Sequence, residues 1–342
     1  LIYAACADLR VHYGMDKDNL KPLTMDVAKT LREIDSPIDG HPNPIEGFPF
    51  FDTATGSLGQ GLSSAAGLAL AARLDGLDKR IFCIIGDGES REGQIWEAID
   101  FLKDHDLKTV CPIFNCNAFA QTQEVSPQQS WETTAKKLEA AGFNAIVIDG
   151  HKGSAIADAL SAHAKAIAPK AKPVAIVAKT VKGWGAASQQ GNGHHGTAVK
   201  GDALTSVLKE LDETEVRLGA IVDTTLKISM MSPRPNRDAK EQAKPLGFED
   251  AMKAFGQEKA LASGKFATRK AYGVALRAIG HAYPEVVALD ADVNNSTFSG
   301  QFVNDEKLGD RYFECRIAEQ NMFSVAAGLP AAGKTPFCLS LI

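Results

Sequence analysis

The sequence predicts an α/β fold of doubly wound, mostly parallel sheets in two α/β domains, the second of them incomplete. Three observations predict it. Short runs of apolar residues alternate with longer segments whose apolar residues recur at helical spacing, the pattern of repeated strand–helix units. The runs at 80–85, 109–115, 144–149 and 174–179 are almost continuously apolar, as strands buried on both faces of a parallel sheet are. A stretch rich in proline and charge, MSPRPNRDAKEQAKP, then separates this unit from a second, shorter alternation.

Each element follows from its residues. Residues 63–74 are rich in Ala and Leu, 94–105 carry Ile95, Ile99 and Leu102 at helical spacing, and 153–167 are similar, so helices are expected there. The first domain is expected over residues 1–222 and an interdomain linker over 223–264, with one short helix at 248–260. The second domain, 265–342, opens with a helix that Thr268 can cap and that runs to about Ala282, with Tyr272, Val274, Leu276 and Ile279 at apolar positions. Residues 286–289 read as a strand ending in Asp290-Ala291-Asp292, 319–327 as a helix, and TPFCLSLI at 335–342 as a last strand. No internal repeat or low-complexity segment is visible.

Composition narrows the function. The chain has 342 residues, 23% charged and 44% hydrophobic, with 30 Gly and 15 Pro. That is ordinary globular usage and excludes collagen-like, coiled-coil and disordered classes. A net charge of −5 gives no electrostatic footprint for nucleic acid or an anionic membrane. The longest apolar stretches are too short to span a bilayer. The six cysteines form no CxxC pair, and Cys111 and Cys116 lack the second ligand pair that zinc needs, so reduced buried thiols are expected. A cytoplasmic protein is the default. The chain starts at Leu1 inside LIYAAC and stops at Ile342 inside FCLSLI, and both apolar ends read as those of a partial chain.

The strongest local signal is GDGESREG, Gly86–Gly93, directly after the strand at 81–85. Ligands of open α/β sheets bind beyond the carboxyl ends of strands, and glycines there let backbone approach a phosphate closely. Alone, GDG reads more readily as a tight turn. One strand–helix–strand step later, the next strand ends in Asn115-Cys116-Asn117, so Asp87 and Asn117 emerge on the same sheet edge. A carboxylate, an amide oxygen and a backbone carbonyl make a hard-oxygen site suited to Mg²⁺ bound to phosphates.

Gly86-Asp87-Gly88 followed by Asn117 resembles the thiamine diphosphate motif. Further stretches narrow the resemblance to the transketolase family: DGHPNP at 39–44, ATGSLGQGL at 54–62, KTVKGWG at 179–185, HHG at 194–196, ATRKAYG at 267–273, NNSTFS at 294–299 and RIAEQNM at 316–322. They follow the family's order across nearly the whole chain. The resemblance implies a diphosphate- and Mg-binding domain at 1–222 and the first part of a pyrimidine-binding domain at 265–342. The implied cofactors are thiamine diphosphate and Mg²⁺ or Ca²⁺. The implied partners are sugar phosphates and a second copy in a homodimer whose active site lies at the subunit interface.

The resemblance also implies roles. Asp87, Asn117 and the carbonyl of Phe119 hold the metal. Gly88 gives its N–H to the diphosphate and Lys182 lies near it, while Gly56, Leu58 and Gln121 contact the cofactor's rings. On its own, Leu58 reads as core and Gly56 as a turn. Glu319 bonds the aminopyrimidine, and burial among Ile317, Ala318 and Met322 would favour its protonated form. His41 and His195, the His next to Gly196 rather than His194, contact substrate hydroxyls and move protons, with His195 also near the cofactor. Arg269 and Ser296 clamp a sugar phosphate, for which a guanidinium fork is suited. Each of these residues alone has a blander reading: a surface histidine, a surface ion pair, a turn serine, a glutamate at a helix start. Asp290 and Asp292 receive no role.

The implied reaction is transfer of a two-carbon ketol unit from a ketose phosphate to an aldose phosphate through a thiamine diphosphate ylid. Dihydroxyacetone synthase, deoxyxylulose-phosphate synthase and a catalytically inactive transketolase-like chain are the alternatives. CLSLI departs from the Ser-Thr-Phe-Ala pattern of the family after Pro336-Phe337-Cys338.

Overall fold

A computed structural model describes residues 2–16, 18–48, 51–219 and 244–340. In chain order the elements are α1 (Ile2–Asp8), β1 (His12–Tyr13), β2 (Lys21–Pro22), α2 (Met25–Lys29), α3 (Gln60–Leu74), β3 (Ile81–Gly86), α4 (Gly93–Asp104), β4 (Val110–Cys116), α5 (Trp131–Ala140), β5 (Asn144–Asp149), α6 (Gly153–Ala166), β6 (Val174–Lys179) and α7 (Gly201–Leu218). Then follow α8 (Phe248–Ala254), α9 (Glu258–Ser263), α10 (Thr268–Ala282), β7 (Val286–Asp290), α11 (Asn294–Thr297), α12 (Gly300–Val303), β8 (Tyr312–Glu314), α13 (Glu319–Ala331) and β9 (Thr335–Leu339). The chain forms two compact units that interleave in sequence. The first takes residues 2–61, Phe82–Gly93 and 111–219, and the second Leu62–Ile81, Gln94–Val110 and 244–340.

The first unit is built on a sheet of order β3-β4-β6-β5. Strand β6 runs parallel to both neighbours, with Asn115 opposite Ala178 on one side and Ile146 opposite Ile176 on the other. Its residues Val174–Ala178 are all buried, and Cys111, Ala159, Val174 and Ile176 form a core beneath it. Burial on both faces, expected for all four runs, holds for β4 and β6 and fails at the edge strands. Phe82 and Ile84 of β3 are 45% and 70% exposed, and β5 is only half-buried. An edge strand has a neighbour on one side only, and covering helices overlap it less.

The second unit carries the parallel sheet β8-β7-β9, with central β7 fully buried. Leu276 of α10, Val286 and Ala288 of β7, Phe302, Leu308 and Leu339 share its core. Arg311 ties α10 to β7 by donating to the carbonyls of Gly280, Tyr283 and Val286 at 2.7–2.9 Å. Two expectations fail here. The helix expected over 248–260 is two helices, because Gly256 turns at φ +72° between them. Thr268 does not cap α10: it is the first helical residue, and the cap position is Ala267, which makes no side-chain bond. Ala251 and Met252 of α8 pack on Val274 and Ala278 of α10, so the end of the expected linker is built into this unit. Most of MSPRPNRDAKEQAKP lies outside the described residues.

Helices α3 and α13 cross at two glycines. A Cβ on Gly67 would sit 2.1 Å from the Val325 carbonyl oxygen, and one on Gly328 would sit 2.0 Å from that of Ser64. The Ser64 hydroxyl also donates to the Ser324 carbonyl at 3.2 Å. Among the described residues no helix is long and apolar enough to cross a membrane, and all six cysteines are free, four of them buried.

Candidate cofactor site

Asp87 follows directly on β3 and is 2% exposed. Its Oδ1 accepts the N–H of Gly88 at 2.8 Å. Its Oδ2 accepts those of Asn117 and Ala118 at 2.8 and 2.7 Å. The sequence puts the last two donors there by a turn just beyond β4, in which Ala118 takes φ +68°, a conformation that costs a non-glycine residue energy and that these two bonds hold in place. The strand-end pairing expected of Asp87 and Asn117 is therefore formed. Burial raises the Asp87 carboxyl above its ordinary range, against the lowering pull of these N–H groups and of Lys182.

Two polar side chains brace this turn, and the sequence reading assigned neither. Glu89 bridges the N–H of Gly86 at 3.1 Å and that of Gly59 at 3.0 Å, tying the Gly56–Gly59 loop to the Gly86–Gly88 turn. Burial raises its carboxyl too. Gln129, buried, donates its amide to the carbonyls of Asp87 at 2.8 Å and Gly88 at 3.0 Å. Gly88 meets Ala120 closely: a Cβ there would lie 3.2 Å from that of Ala120.

The other expected residues of this unit divide. Lys182 is brought in: its Nζ donates to the Ala120 carbonyl at 2.6 Å, within electrostatic reach of Asp87. Phe119 and Gln121 lie on the short hairpin closed by Ala120 N–H to Gln123 O at 2.9 Å and by the bridge of Phe119 to Glu124. Gly56 is half-buried and its carbonyl accepts the Leu58 N–H at 2.9 Å. Leu58, which alone reads as core, is 57% exposed. The Gly88 N–H assigned to a diphosphate is here given to Asp87. His195 and His194 are both exposed, two residues beyond Asn192, whose amide donates to Thr122 O of the hairpin at 3.1 Å. His41 is exposed, and no contact brings it to the Asp87 turn among the described residues.

The second unit carries the remaining residues. Glu319 starts α13, half-buried, and its Oε1 accepts the Ser340 hydroxyl at 3.2 Å. The burial expected around it is partial: Ala318 and Met322 are buried, but Ile317 is 78% exposed. The Arg269 guanidinium lies 5.6 Å over the Phe298 ring and the Lys270 ammonium 5.5 Å from it, so both cations face the segment that carries Ser296. Asp290, given no role from sequence, holds that segment. Buried at the end of β7, it accepts the Val293 N–H at 2.7 Å and the hydroxyls of Thr297 and Ser299 at 3.1 and 2.7 Å.

The oxygens around Asp87 fit a hard divalent cation. A carboxylate oxygen has room for about two hydrogen bonds. Oδ2 is filled by two, whereas Oδ1 has one and keeps a lone pair. Among the described residues Asn117 Oδ1 likewise accepts one bond, from the Phe119 N–H at 3.0 Å. Among the described residues no three His, Cys, Asp or Glu side chains cluster as metal ligands. A site of one carboxylate, one amide and one carbonyl does not depend on such a cluster.

Comparison with known proteins agrees with this architecture. Residues 11–228 match the family description "Transketolase, thiamine diphosphate binding domain", and 264–341 match "Transketolase, pyrimidine binding domain". Transketolase of Rattus norvegicus is 36% identical over 311 residues, covering 90% of this chain and 46% of the rat protein. Transketolase-like protein 2 of Mus musculus is 34% identical over 307 residues, covering 89% and 46%. The crystal structure of transketolase from Campylobacter jejuni superposes with a TM-score of 0.66 at 23% identity, over 92% of this chain and 52% of that one. The matches define an α/β protein with a thiamine diphosphate-binding domain followed by a pyrimidine-binding domain. The chain belongs to the transketolase family, and it spans about half the length of the curated relatives it matches.

Proposed function

We propose that the protein is a transketolase, transferring a two-carbon ketol unit from a ketose phosphate to an aldose phosphate, the reaction class of the pentose phosphate pathway, in the cytoplasm. The observation that carries the reading is the Asp87 carboxylate, fixed by three backbone N–H groups with Lys182 beside it. That is a site for a cation bridging to a diphosphate. Asp87, Asn117 and the Phe119 carbonyl hold Mg²⁺ or Ca²⁺, and Gly88 and Lys182 face the diphosphate. Gly56, Leu58, Gln121 and His195 border the rings. When bound, thiamine diphosphate supplies the electron sink for carbon–carbon cleavage.

The chain's own residues position groups and move protons. Glu319 would bond the aminopyrimidine and hold a proton there, and His41 and His195 would bond substrate hydroxyls and carry protons to and from them. Arg269 and Ser296 bind the sugar phosphate. Residues 1–222 carry the diphosphate-binding domain and 265–342 the first part of the pyrimidine-binding domain, with the end of 223–264 packed on the latter, and the active protein is a homodimer. The test is a thiamine diphosphate titration of the full chain with and without Mg²⁺. Binding that needs the metal is expected, and its absence rejects the cofactor assignment. A panel of phosphorylated ketose donors and aldose acceptors then reads the transfer, and verified monomer that turns over ketose phosphate rejects the dimer.

A further inference from the structure

Strands β5 and β6 end in register, Asp149 opposite Lys179, and the chain segments beyond them meet. His151 Nε2 accepts the backbone N–H of Val181 at 2.9 Å. The same imidazole stacks on Trp184, with centroids 4.5 Å apart and planes 5° from parallel. Lys182 lies between these two anchors in sequence. The imidazole is itself fixed from below: the His151 backbone N–H bonds Asp149 Oδ1 at 2.9 Å. Gly150 permits the approach, because a Cβ there would lie 2.5 Å from Thr180 Cγ2. On the far side the loop closes at Gly183, whose φ of +80° and position against the Gln189 carbonyl leave no room for a side chain.

We propose that His151 is a positioning residue for Lys182. Through the Val181 N–H and the Trp184 ring it holds the loop in the conformation that aims the Lys182 ammonium at the Ala120 carbonyl and the space beside Asp87. The inference rests on the reading of Lys182 as a diphosphate contact. An accepting Nε2 requires the ring proton on Nδ1. The charged residues of the two facing segments are Asp149 and Lys152 on one side and Lys179 and Lys182 on the other. Lys179 is engaged elsewhere, its ammonium 5.0 Å from the Trp131 ring.

Thiamine diphosphate affinity of the full chain, measured with saturating Mg²⁺ at neutral pH, tests the inference. His151→Ala is expected to weaken binding roughly tenfold, the loss of one hydrogen bond and one ring contact. His151→Gln keeps an acceptor and Trp184→Phe keeps a ring, so each is expected to lose only about threefold. In a Lys182→Ala background, removing His151 is expected to cost under about twofold more, since the two act as one unit. A purely structural histidine gives the same loss in both backgrounds, and that result overturns the proposal. So does wild-type affinity in His151→Ala. A second readout needs no ligand: the tryptophan emission that Trp184→Phe removes is expected to change in His151→Ala, which loses the stacked ring. Unchanged Trp184 emission in His151→Ala overturns the clamp. Wild-type protein that binds no thiamine diphosphate removes the functional reading and this inference together, whereas wild-type binding with unaffected variants removes this inference alone.

Discussion

Asp87→Asn probes the site at its most constrained residue. An asparagine can keep its carbonyl oxygen at the Oδ2 position, where it still accepts the N–H groups of Asn117 and Ala118. Its amide then faces the Gly88 N–H, donor against donor, which costs roughly 1–3 kcal/mol. Against this, the substitution removes a buried charge. Burial pushes the Asp87 carboxyl up, ahead of the lowering effects of the Ala118, Gly88 and Asn117 N–H groups and of Lys182, and each pH unit of displacement is worth about 1.4 kcal/mol. The two effects oppose, so the cofactor-free variant is expected to lose less at neutral pH than the roughly 1–3 kcal/mol of the donor clash alone. The pH dependence has a definite sign. A carboxyl raised in the folded state contributes stability that is fully present below its unfolded value, near 4, and is lost as pH rises through the folded value. Wild type therefore loses stability relative to Asp87→Asn from about pH 4 upward, by at most about 1.4 kcal/mol per pH unit for one proton. Urea denaturation of both proteins between about pH 4 and 8 reads this difference, and a wild type that gains on the variant as pH rises refutes the reasoning. In the same variant, Mg²⁺-dependent thiamine diphosphate binding is expected to vanish.

Gly67→Ala and Gly328→Ala should each lose roughly 1–3 kcal/mol in urea denaturation, since the obstructing atoms are backbone carbonyls. Gly93→Ala, with nothing within 4 Å of the new Cβ, is the control, and equal behaviour of the three rejects the crossing. Gln129→Leu should weaken Mg²⁺-thiamine diphosphate binding about tenfold by freeing the turn carbonyls, and unchanged affinity in calorimetry counts against a bracing role. Asp305 is raised by burial, but the Lys307 N–H, His281 and Arg277 outweigh that and hold it down to about 2. Its stabilisation, about 2 kcal/mol from a lowered carboxyl, is present above the unfolded value and is lost as pH falls through the folded one. Asp305→Asn should thus cost about 2 kcal/mol at neutral pH and progressively less below about pH 4, read by denaturation at several pH values.

What was legible in the sequence is what depends on local spacing. Asp87 and Asn117 could be paired because one strand–helix–strand step separates them and successive parallel strands end on the same sheet edge. Strand and helix positions followed from the period of apolar residues, and the break at Gly256 could have been read from that glycine. The bracing residues were not legible, for a physical reason. Glu89 reaches Gly59 across 30 positions and Gln129 reaches Asp87 across 42. The only local trace of Gln129 is its reciprocal bonding with Ser126, the capping pattern Ser-Pro-Gln-Gln. That pattern announces a helical turn and says nothing of a distant carbonyl. Leu58 misleads in the opposite direction: hydrophobicity favours core, but its loop, fixed by Gly59 and Glu89, leaves it facing outward.

Both units use one device. A carboxylate at the end of a strand, Asp87 after β3 and Asp290 at the end of β7, gathers the donors of the loop beyond it. The partners differ, and so do the consequences. Asp87 is held by backbone N–H groups alone and keeps an acceptor site on Oδ1, which suits a cation. Asp290 takes one N–H on Oδ1 and two hydroxyls on Oδ2, those of Thr297 and Ser299. Those hydroxyls flank the Phe298 ring beneath Arg269, and the Val293 carbonyl accepts the Ser296 N–H at 2.8 Å. Asp290 thus fixes both ends of the turn that presents Ser296. An alanine at 290 takes the acceptor from all three donors and leaves the Val293 N–H without it, worth roughly 1–3 kcal/mol. With Ser296 in the sugar-phosphate clamp, Asp290→Ala should raise KM for a phosphorylated donor about tenfold while leaving thiamine diphosphate affinity near wild type. An equal loss of both would mean that Asp290 supports the fold of the unit as a whole rather than this turn.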